Sequence, residues 1–166
     1  MTAADAYHLL PHLADCQHSP GQKLITTGLI NPNTPLWGAT TCRYLKRDFT
    51  HPIIPESAPL PTSLAKRIAK SKRPKILLAG LSRTLESFLD ETGQYTGAVA
   101  TFSIYHPADD LAALRALNAH LLQPATTQTI KHHLGANALR GQHITLKKPF
   151  LQNLPLPAAF GDCPSG

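Results

Sequence analysis

The sequence has few of the features of a disulfide-rich, zinc-binding or membrane protein. Its three cysteines, Cys16, Cys42 and Cys163, lie far apart and form no CxxC pair, so neither a disulfide framework nor a zinc ribbon is indicated. No apolar run approaches the roughly 20 residues that span a bilayer, and the N-terminus lacks a charged segment before an apolar core. We therefore expect a soluble, cytoplasmic protein that has no membrane partner and is not exported.

Acidic residues are absent from two long stretches of the chain. The sequence has 16 Lys and Arg against 10 Asp and Glu, a net charge of +6, and every charged residue at 59–85 and at 111–149 is basic. Clustered charge of one sign usually faces a polyanion, although a basic surface that only maintains solubility is the alternative. The basic residues in the two stretches are Lys66, Arg67, Lys70, Lys72, Arg73, Lys75 and Arg83, then Arg115, Lys131, Arg140, Lys147 and Lys148.

The apolar and turn patterns predict an α+β fold with a mixed or antiparallel sheet and packed helices, because strands and helices mix without a clean βαβ alternation. Strands are predicted at 23–30, 75–82, 98–105 and 143–148. Helices are predicted at 62–74, 107–124 and 125–134, with a weak one at 3–16 that Pro11 interrupts.

Two of the predicted helices begin with residues that stabilise a helix N-terminus. Thr62 is the predicted N-cap of the first basic helix, and Asp109 and Asp110 are placed in the first turn of the next one, where the helix dipole favours anions. Glu86, Asp90 and Glu91 lie at helical spacing, which predicts a solvated face.

Several ordered motifs together resemble a known family. They are "LITTGLINP", "LWG", "CRYLKRDFTHPII", "KILLAGLSRTLESFLDETGQYTG", "DDLAALRALNAHLL" and "ITLKKPFLQNLPLP". In this order they look like the TaqI-like C-terminal specificity (target-recognition) domain of adenine-N6 DNA methyltransferases and fused restriction-modification enzymes. The resemblance covers residues 23–157, which leaves a weakly helical N-terminal segment at 1–22 and a flexible tail at 158–166.

The resemblance implies a target-recognition-domain-like fold and recognition of a short double-stranded DNA sequence. A methyltransferase catalytic domain, in the same or a partner chain, would bind S-adenosylmethionine. Such catalytic domains carry Asn-Pro-Pro followed by an aromatic residue, which together hold the adenine. The most similar sequence here is Asn31-Pro32-Asn33-Thr34, which lacks the second proline and the aromatic residue. A glycine-rich cofactor turn is also missing, since Gly80 stands alone. We therefore expect no cofactor in this chain and no methyl transfer by the chain itself.

Candidate DNA contacts are basic side chains for phosphates and loop side chains for base edges. Trp37 would anchor the first basic loop, or be a packing aromatic. Arg83 could read a guanine, or form an ion pair with Glu86. A solvated surface is the alternative for the other candidates. The predicted DNA-binding residues are Arg43, Lys46, Arg47, Lys66, Lys70, Arg73, Arg83, Lys131, Asn137, Arg140, Gln142 and Lys147; of these, Lys66, Lys70 and Arg73 would share one helical face.

The sequence gives little support for a metal site or for catalysis. His8, His12 and Cys16 are spaced by four, as metal ligands on one helix face could be, but Pro11 lies between them and no clear fourth ligand follows. No nucleophile or acidic cluster has catalytic spacing, so we predict neither a catalytic residue nor a metal site. The alternative function is a protein interaction module that docks a methyltransferase or nuclease subunit through the Leu-rich helix at 109–122.

Overall fold

The chain mixes helices with several small sheets, and the predicted α+β class is confirmed. The computed structural model describes residues 2–134 and 143–152 together with Leu154. Among these residues, no helix is long and apolar enough to cross a membrane.

The helices follow the apolar periodicity of the sequence. In the second of them, Leu64 and Ile68 are buried one turn apart. The prediction that Thr62 caps this helix is wrong: Pro61 holds the N-cap position in an extended conformation, and Thr62 is already the first helical residue. The helices are α1 (Ala3–Leu9), α2 (Thr62–Ser71), α3 (Leu111–Leu121), α4 (Pro124–Leu134) and α5 (Lys148–Gln152), with 3-10 turns at Leu10–His12 and Thr27–Leu29.

The strands are short; of the thirteen in the described residues, four lie wholly within the predicted segments, two overlap one of them and seven lie elsewhere. The strand predicted at 23–30 ends at Ile25, where the chain enters a 3-10 turn, and the one predicted at 98–105 begins at Thr101, after a tight turn. The strands are β1 (Ala14–Asp15), β2 (Gly21–Ile25), β3 (Ile30–Asn31), β4 (Thr34–Pro35), β5 (Cys42–Tyr44), β6 (Arg47–Phe49), β7 (Pro52–Pro55), β8 (Lys75–Ala79), β9 (Leu81–Ser82), β10 (Ser87–Asp90), β11 (Tyr95–Gly97), β12 (Thr101–Ile104) and β13 (Ile144–Thr145).

Two sheets organise the described residues. The first has the order β1-β7-β2-β11, in which β2 and β11 are parallel and the other neighbours antiparallel. The second has the order β10-β8-β12 and is antiparallel throughout. The predicted mixed or antiparallel pairing is therefore confirmed. Three two-stranded pairs complete the fold: β3 with β4, β5 with β6, and β9 with β13.

The N-terminal segment belongs to the first apolar core. Ala6 and Leu9, three residues apart on α1, are 1% and 0% exposed and pack in the same cluster as Leu24 and Leu64. Strand β1 pairs with β7, and the predicted boundary after residue 22 falls inside β2. A second cluster joins β8 to α3 and α4. The predicted tail at 158–166 lies outside the described residues.

A buried ion pair links β8 to β10. Lys75 Nζ lies 2.5 Å from Asp90 Oδ2, and Asp90 also accepts hydrogen bonds of 2.9 Å from the backbone N–H groups of Gln94 and Tyr95. The prediction of a solvated helical face at this position is therefore wrong for Asp90, which is 3% exposed. The sequence spacing fits a helix, but pairing with β8 makes the segment a strand.

Candidate nucleic-acid interface

A cationic cleft of about 550 Å³ lies between α2 and the β11–β12 region. Among the described residues, no carboxylate lines it and four cations do: Lys66, Arg67, Lys70 and Lys148. Six residues with hydroxyl groups also line the cleft: Ser63, Ser71, Thr96, Thr101, Ser103 and Tyr105.

Helix α2 directs its cations into the cleft because its other face is buried. Leu64 and Ile68 are 1% and 8% exposed in the first core. Lys66 and Lys70, four residues apart, consequently lie on the outer side of the helix and line the cleft with Arg67. The same amphipathic pattern that folds the helix therefore positions the charges.

A buried polar network fixes the floor of the cleft. The hydroxyl oxygens of Ser71 and Thr96 are 2.5 Å apart, and each lies 3.1 Å from Oε1 of Gln22. The Gln22 side-chain amide donates to the Gly93 carbonyl at 2.9 Å. These bonds tie the end of α2 to β2 and β11, so the floor is rigid.

Tyr105 orients cations at one end of the cleft. Lys70 Nζ lies 4.9 Å from the centroid of its ring, and the Arg73 guanidinium 5.7 Å from it. Burial raises the pKa of Tyr105, so its hydroxyl is protonated at neutral pH and can donate a hydrogen bond to an anion.

Ion pairs neutralise several of the cations in and near the cleft. The prediction that Arg73 shares a face with Lys66 and Lys70 is wrong, because α2 ends at Ser71. The Arg73 guanidinium instead donates to Asp109 at 2.8 and 3.0 Å. The other pairs formed by this basic stretch are Arg67–Asp5 at 3.5 Å, Lys72–Glu56 at 3.6 Å and the buried Lys75–Asp90.

The two acidic residues before α3 have different roles, contrary to the prediction that both lie in its first turn. Asp110 is the N-cap and accepts hydrogen bonds from the backbone N–H groups of Ala112 and Ala113. Asp109 precedes it with φ of +54° and holds Arg73. The arginine thus has an intramolecular partner that the sequence pattern did not reveal.

The β5–β6 hairpin presents a second group of exposed cations: Arg43, Lys46 and Arg47. Its two turn residues, Leu45 and Lys46, have φ of +46° and +70°, the backbone that two-residue hairpins favour. Tyr44 and Phe49 bury the inner face. The hairpin therefore holds its basic side chains outward on a fixed backbone.

Trp37 is a packing aromatic that also anchors its loop, and the sequence analysis offered these two roles as alternatives. Its indole N–H donates to the Pro52 carbonyl at 2.8 Å. Its ring meets His51 edge-on at 5.0 Å and lies 4.9 Å from Lys23 Nζ. The ring thereby anchors the loop that precedes the hairpin.

Three of the remaining predicted contacts lie in the described part of the chain and do not line the cleft: Arg83, Lys131 and Lys147. Arg83 and Lys147 are exposed and Lys131 is half-buried. The salt bridges within the described part of the chain do not include Arg83, so the ion pair with Glu86 is not formed there. Three predicted base-reading residues lie outside the described residues: Asn137, Arg140 and Gln142.

A second cavity, of about 340 Å³, lies beside the hairpin and was not foreseen from the sequence. Tyr7, Arg43 and Val99 are among the residues that line it, and Tyr7 and Val99 are 66% and 39% exposed. Helical periodicity carries part of the signal: if Ala6 faces the core, Tyr7 must face away. Nothing in the local sequence places Val99 at the same cavity.

An apolar groove of about 390 Å³ adjoins the cationic cleft at β12. The groove and the cleft share Phe102, Ser103 and Lys148. The apolar side chains in it come from β12, α3 and the region of α5: Phe102, Ile104, Leu117, Leu121, Leu151 and Leu154.

The histidine-rich N-terminal segment does not form a metal site in the structure. His8 lies in α1, His12 in the following 3-10 turn and Cys16 after β1. Within residues 2–134, 143–152 and 154, no group of three or more His, Cys, Asp or Glu side chains could hold a metal ion.

Comparisons of the chain with models of protein families, with curated proteins and with solved structures found no match. The fold and the site together define an α+β protein with a cationic, hydroxyl-lined cleft.

Proposed function

We propose that the chain is a sequence-specific duplex DNA recognition module, non-catalytic by itself, that serves a restriction-modification DNA adenine-N6 methyltransferase. The observation that carries this proposal is the cleft in which four cations converge with hydroxyl groups and no carboxylate. Concave surfaces with one sign of charge attract polyanions and concentrate them locally.

The cleft would contact the phosphate backbone. Lysine ammonium groups act as point charges toward phosphates, and hydroxyl groups donate hydrogen bonds to phosphate oxygens. Lys66, Lys70 and Lys148 are exposed and have no carboxylate partner among the described salt bridges. Phosphate contacts there would fix the register in which other side chains meet base edges.

Base readout stays a prediction for the loops. Arg43, Lys46 and Arg47 on the hairpin, and Arg83 after β9, are exposed. An arginine held at the end of a strand can bond the O6 and N7 atoms of guanine. The same prediction holds for the loop residues Asn137, Arg140 and Gln142, and phosphate contact for Lys131 and Lys147.

The target-recognition-domain-like fold and the methyltransferase context rest on the sequence motifs that resemble this family. In that context a separate catalytic domain binds S-adenosylmethionine and transfers the methyl group, in the cytoplasm. This chain would supply the choice of DNA sequence.

The test is the binding of the purified chain to a pool of random duplex DNA at low and at moderate salt, followed by sequencing of the retained DNA. Enrichment of one short motif supports sequence recognition. Retention without enrichment contradicts sequence specificity, and no retention at low salt contradicts DNA binding altogether.

The apolar groove favours a second candidate function, docking of the catalytic methyltransferase or nuclease subunit. Leu117 and Leu121 of the Leu-rich helix line this groove, as that alternative requires. Apolar docking responds weakly to salt, whereas DNA binding falls steeply with it. Salt-resistant binding of the catalytic subunit that is lost in Leu117→Asp, with DNA binding unchanged, would support this role.

A further inference from the structure

Two of the three large apolar side chains that the described residues expose converge on one cavity. The three are Tyr7, Leu81 and Val99, and Tyr7 and Val99 both line the cavity of about 340 Å³ beside the hairpin. Isolated exposed apolar residues are ordinary on protein surfaces. Convergence on a concave site that also contains Arg43 is a feature of binding sites.

Helix α1 holds Tyr7 in place. Its neighbour Ala6 is 1% exposed and Leu9 is 0% exposed. The Tyr44 hydroxyl, which is buried beneath the cavity, donates a hydrogen bond of 3.2 Å to the Ala6 carbonyl. The aromatic ring therefore projects from a fixed backbone.

A locked turn holds Val99. Ala98 donates its N–H to the Ile25 carbonyl at 2.8 Å, and the Thr101 hydroxyl donates to the Ala98 carbonyl at 2.7 Å. Ala100 has φ of +61°, a left-handed conformation that residues with a Cβ adopt only where the surroundings enforce it. The Gly80 N–H donates a hydrogen bond of 2.8 Å to the Ala100 carbonyl, which helps to hold Ala100 in this conformation.

The same turn separates the cavity from the cationic cleft. Ala98 and Val99 line the cavity, whereas Gly97 and Thr101 line the cleft. A nucleic-acid strand that crosses the turn could therefore leave its phosphates in the cleft and place a base in the cavity.

We propose that the cavity lined by Tyr7 and Val99 binds a single unpaired nucleobase of a DNA strand whose phosphates occupy the cationic cleft. This inference rests on the proposed DNA-binding function. An exposed aromatic ring and an exposed β-branched side chain at one cavity suit a planar ring system, which proteins hold by stacking on such groups. Arg43, Thr26 and Thr27 supply hydrogen-bonding groups at the same site. A paired base in a regular duplex cannot enter a cavity, so the ligand is an extrahelical or single-stranded nucleotide.

The experiment compares the affinity of the chain for labelled duplexes of one sequence at low salt. One duplex is fully paired, four carry a single extrahelical nucleotide that differs in its base, and one carries an extrahelical abasic nucleotide. We expect at least one of the four to bind about tenfold or more tightly than the paired duplex, because stacking on an aromatic residue strengthens binding by that order. The abasic duplex should lack this preference, since it keeps the flexibility and loses the base.

Protein variants assign the preference to the cavity. Tyr7→Ala should abolish it and leave the affinity for the paired duplex unchanged, while Tyr7→Phe should retain it. Leu81→Ala, which removes the exposed apolar residue outside the cavity, is the matched control and should change neither affinity. Lys70→Gln should weaken the paired and extrahelical duplexes alike.

The outcomes separate this inference from the function on which it rests. Equal affinity of the wild-type chain for all the duplexes, or a preference that survives Tyr7→Ala or extends to the abasic duplex, overturns the nucleobase site alone. Absence of binding to every duplex at low salt overturns the DNA-binding function together with the nucleobase site.

Discussion

Replacing Lys70 by glutamine should reduce the salt dependence of DNA binding, whereas replacing Lys72 should not. Lys70 lines the cationic cleft. Lys72 lies two residues further on at the C-cap of α2, pairs with Glu56 at 3.6 Å and lines a different cavity. The two lysines are both exposed, so the variants differ mainly in where the lost charge lies.

The magnitude follows from the number of cations in the cleft. Each neutralised phosphate contributes about −0.9 to the slope of log affinity against log salt concentration, so the four cations of the cleft contribute about −3.6. A fourfold rise in salt, from about 50 to about 200 mM, should then weaken binding about 150-fold in the wild-type chain through these four cations alone. With three cations left in Lys70→Gln, the slope should be about −2.7 and the same rise should weaken binding about 40-fold.

The assay is fluorescence anisotropy of a labelled duplex across this salt range. The measured quantity is the slope, which does not depend on knowing the recognised sequence. A wild-type slope near zero would exclude phosphate contact by the cleft. Equal slopes for Lys70→Gln and the wild type, or an equal reduction by Lys72→Gln, would show that α2 is not the surface that meets DNA.

Three further variants test the fold that positions the cleft. Lys75→Met should lower the free energy of unfolding by about 3–5 kcal/mol because it leaves the Asp90 carboxylate buried without a counter-charge. In urea unfolding, the double variant Lys75→Met/Asp90→Asn should lose less stability than Lys75→Met alone. An equal loss in the single and double variants would contradict this account of the ion pair. Burial raises the pKa of Tyr44 to about 12, so the folded state keeps a proton that the unfolded state releases above about pH 10. The free energy of unfolding should therefore fall as pH rises from about 10 to about 12. In urea unfolding, Tyr44→Phe should show a smaller fall than the wild type, and an equal fall would refute this role of Tyr44. Gly93 has φ of +68°, and an added Cβ would lie 1.9 Å from the Lys72 carbonyl oxygen, so Gly93→Ala should cost about 3 kcal/mol in the same assay; a loss below about 1 kcal/mol would show that the loop adapts.

The elements with strong periodicity could be predicted from the sequence. Helices α2, α3 and α4 and the buried strand β8 all lie where the apolar pattern places them. The segment that ends in Asp90 could not be assigned in this way. Glu86 and Asp90 are four residues apart, as on a helix, and only pairing with β8 makes the segment a strand, because tertiary contacts override weak local preference.

The cavity beside the hairpin could not be predicted from the sequence either. Tyr7 and Val99 lie far apart in the chain and line one cavity because α1 packs on the first core while the Ala98 N–H donates to the Ile25 carbonyl at the end of β2. A pattern search finds residues that are close in the chain, and these two residues are brought to one cavity only by the fold.

The same limit explains why the basic run in the sequence is a poor guide to the surface that DNA would meet. The carboxylates that pair with this run come from outside it, and Asp109 follows Arg73 by 36 residues. Arg73 is held by several hydrogen bonds and Lys75 is buried with Asp90, so both charges already have an intramolecular partner. Arg67 is different, because its pair with Asp5 is 3.5 Å long and 43% of the arginine side chain is exposed, and exposed pairs of this kind contribute little stability. Its guanidinium can exchange the carboxylate for a phosphate, and Lys148 joins it from the far end of the chain. The cations that converge in the cleft are therefore selected by the tertiary structure, which neutralises some members of the run and recruits one from outside it.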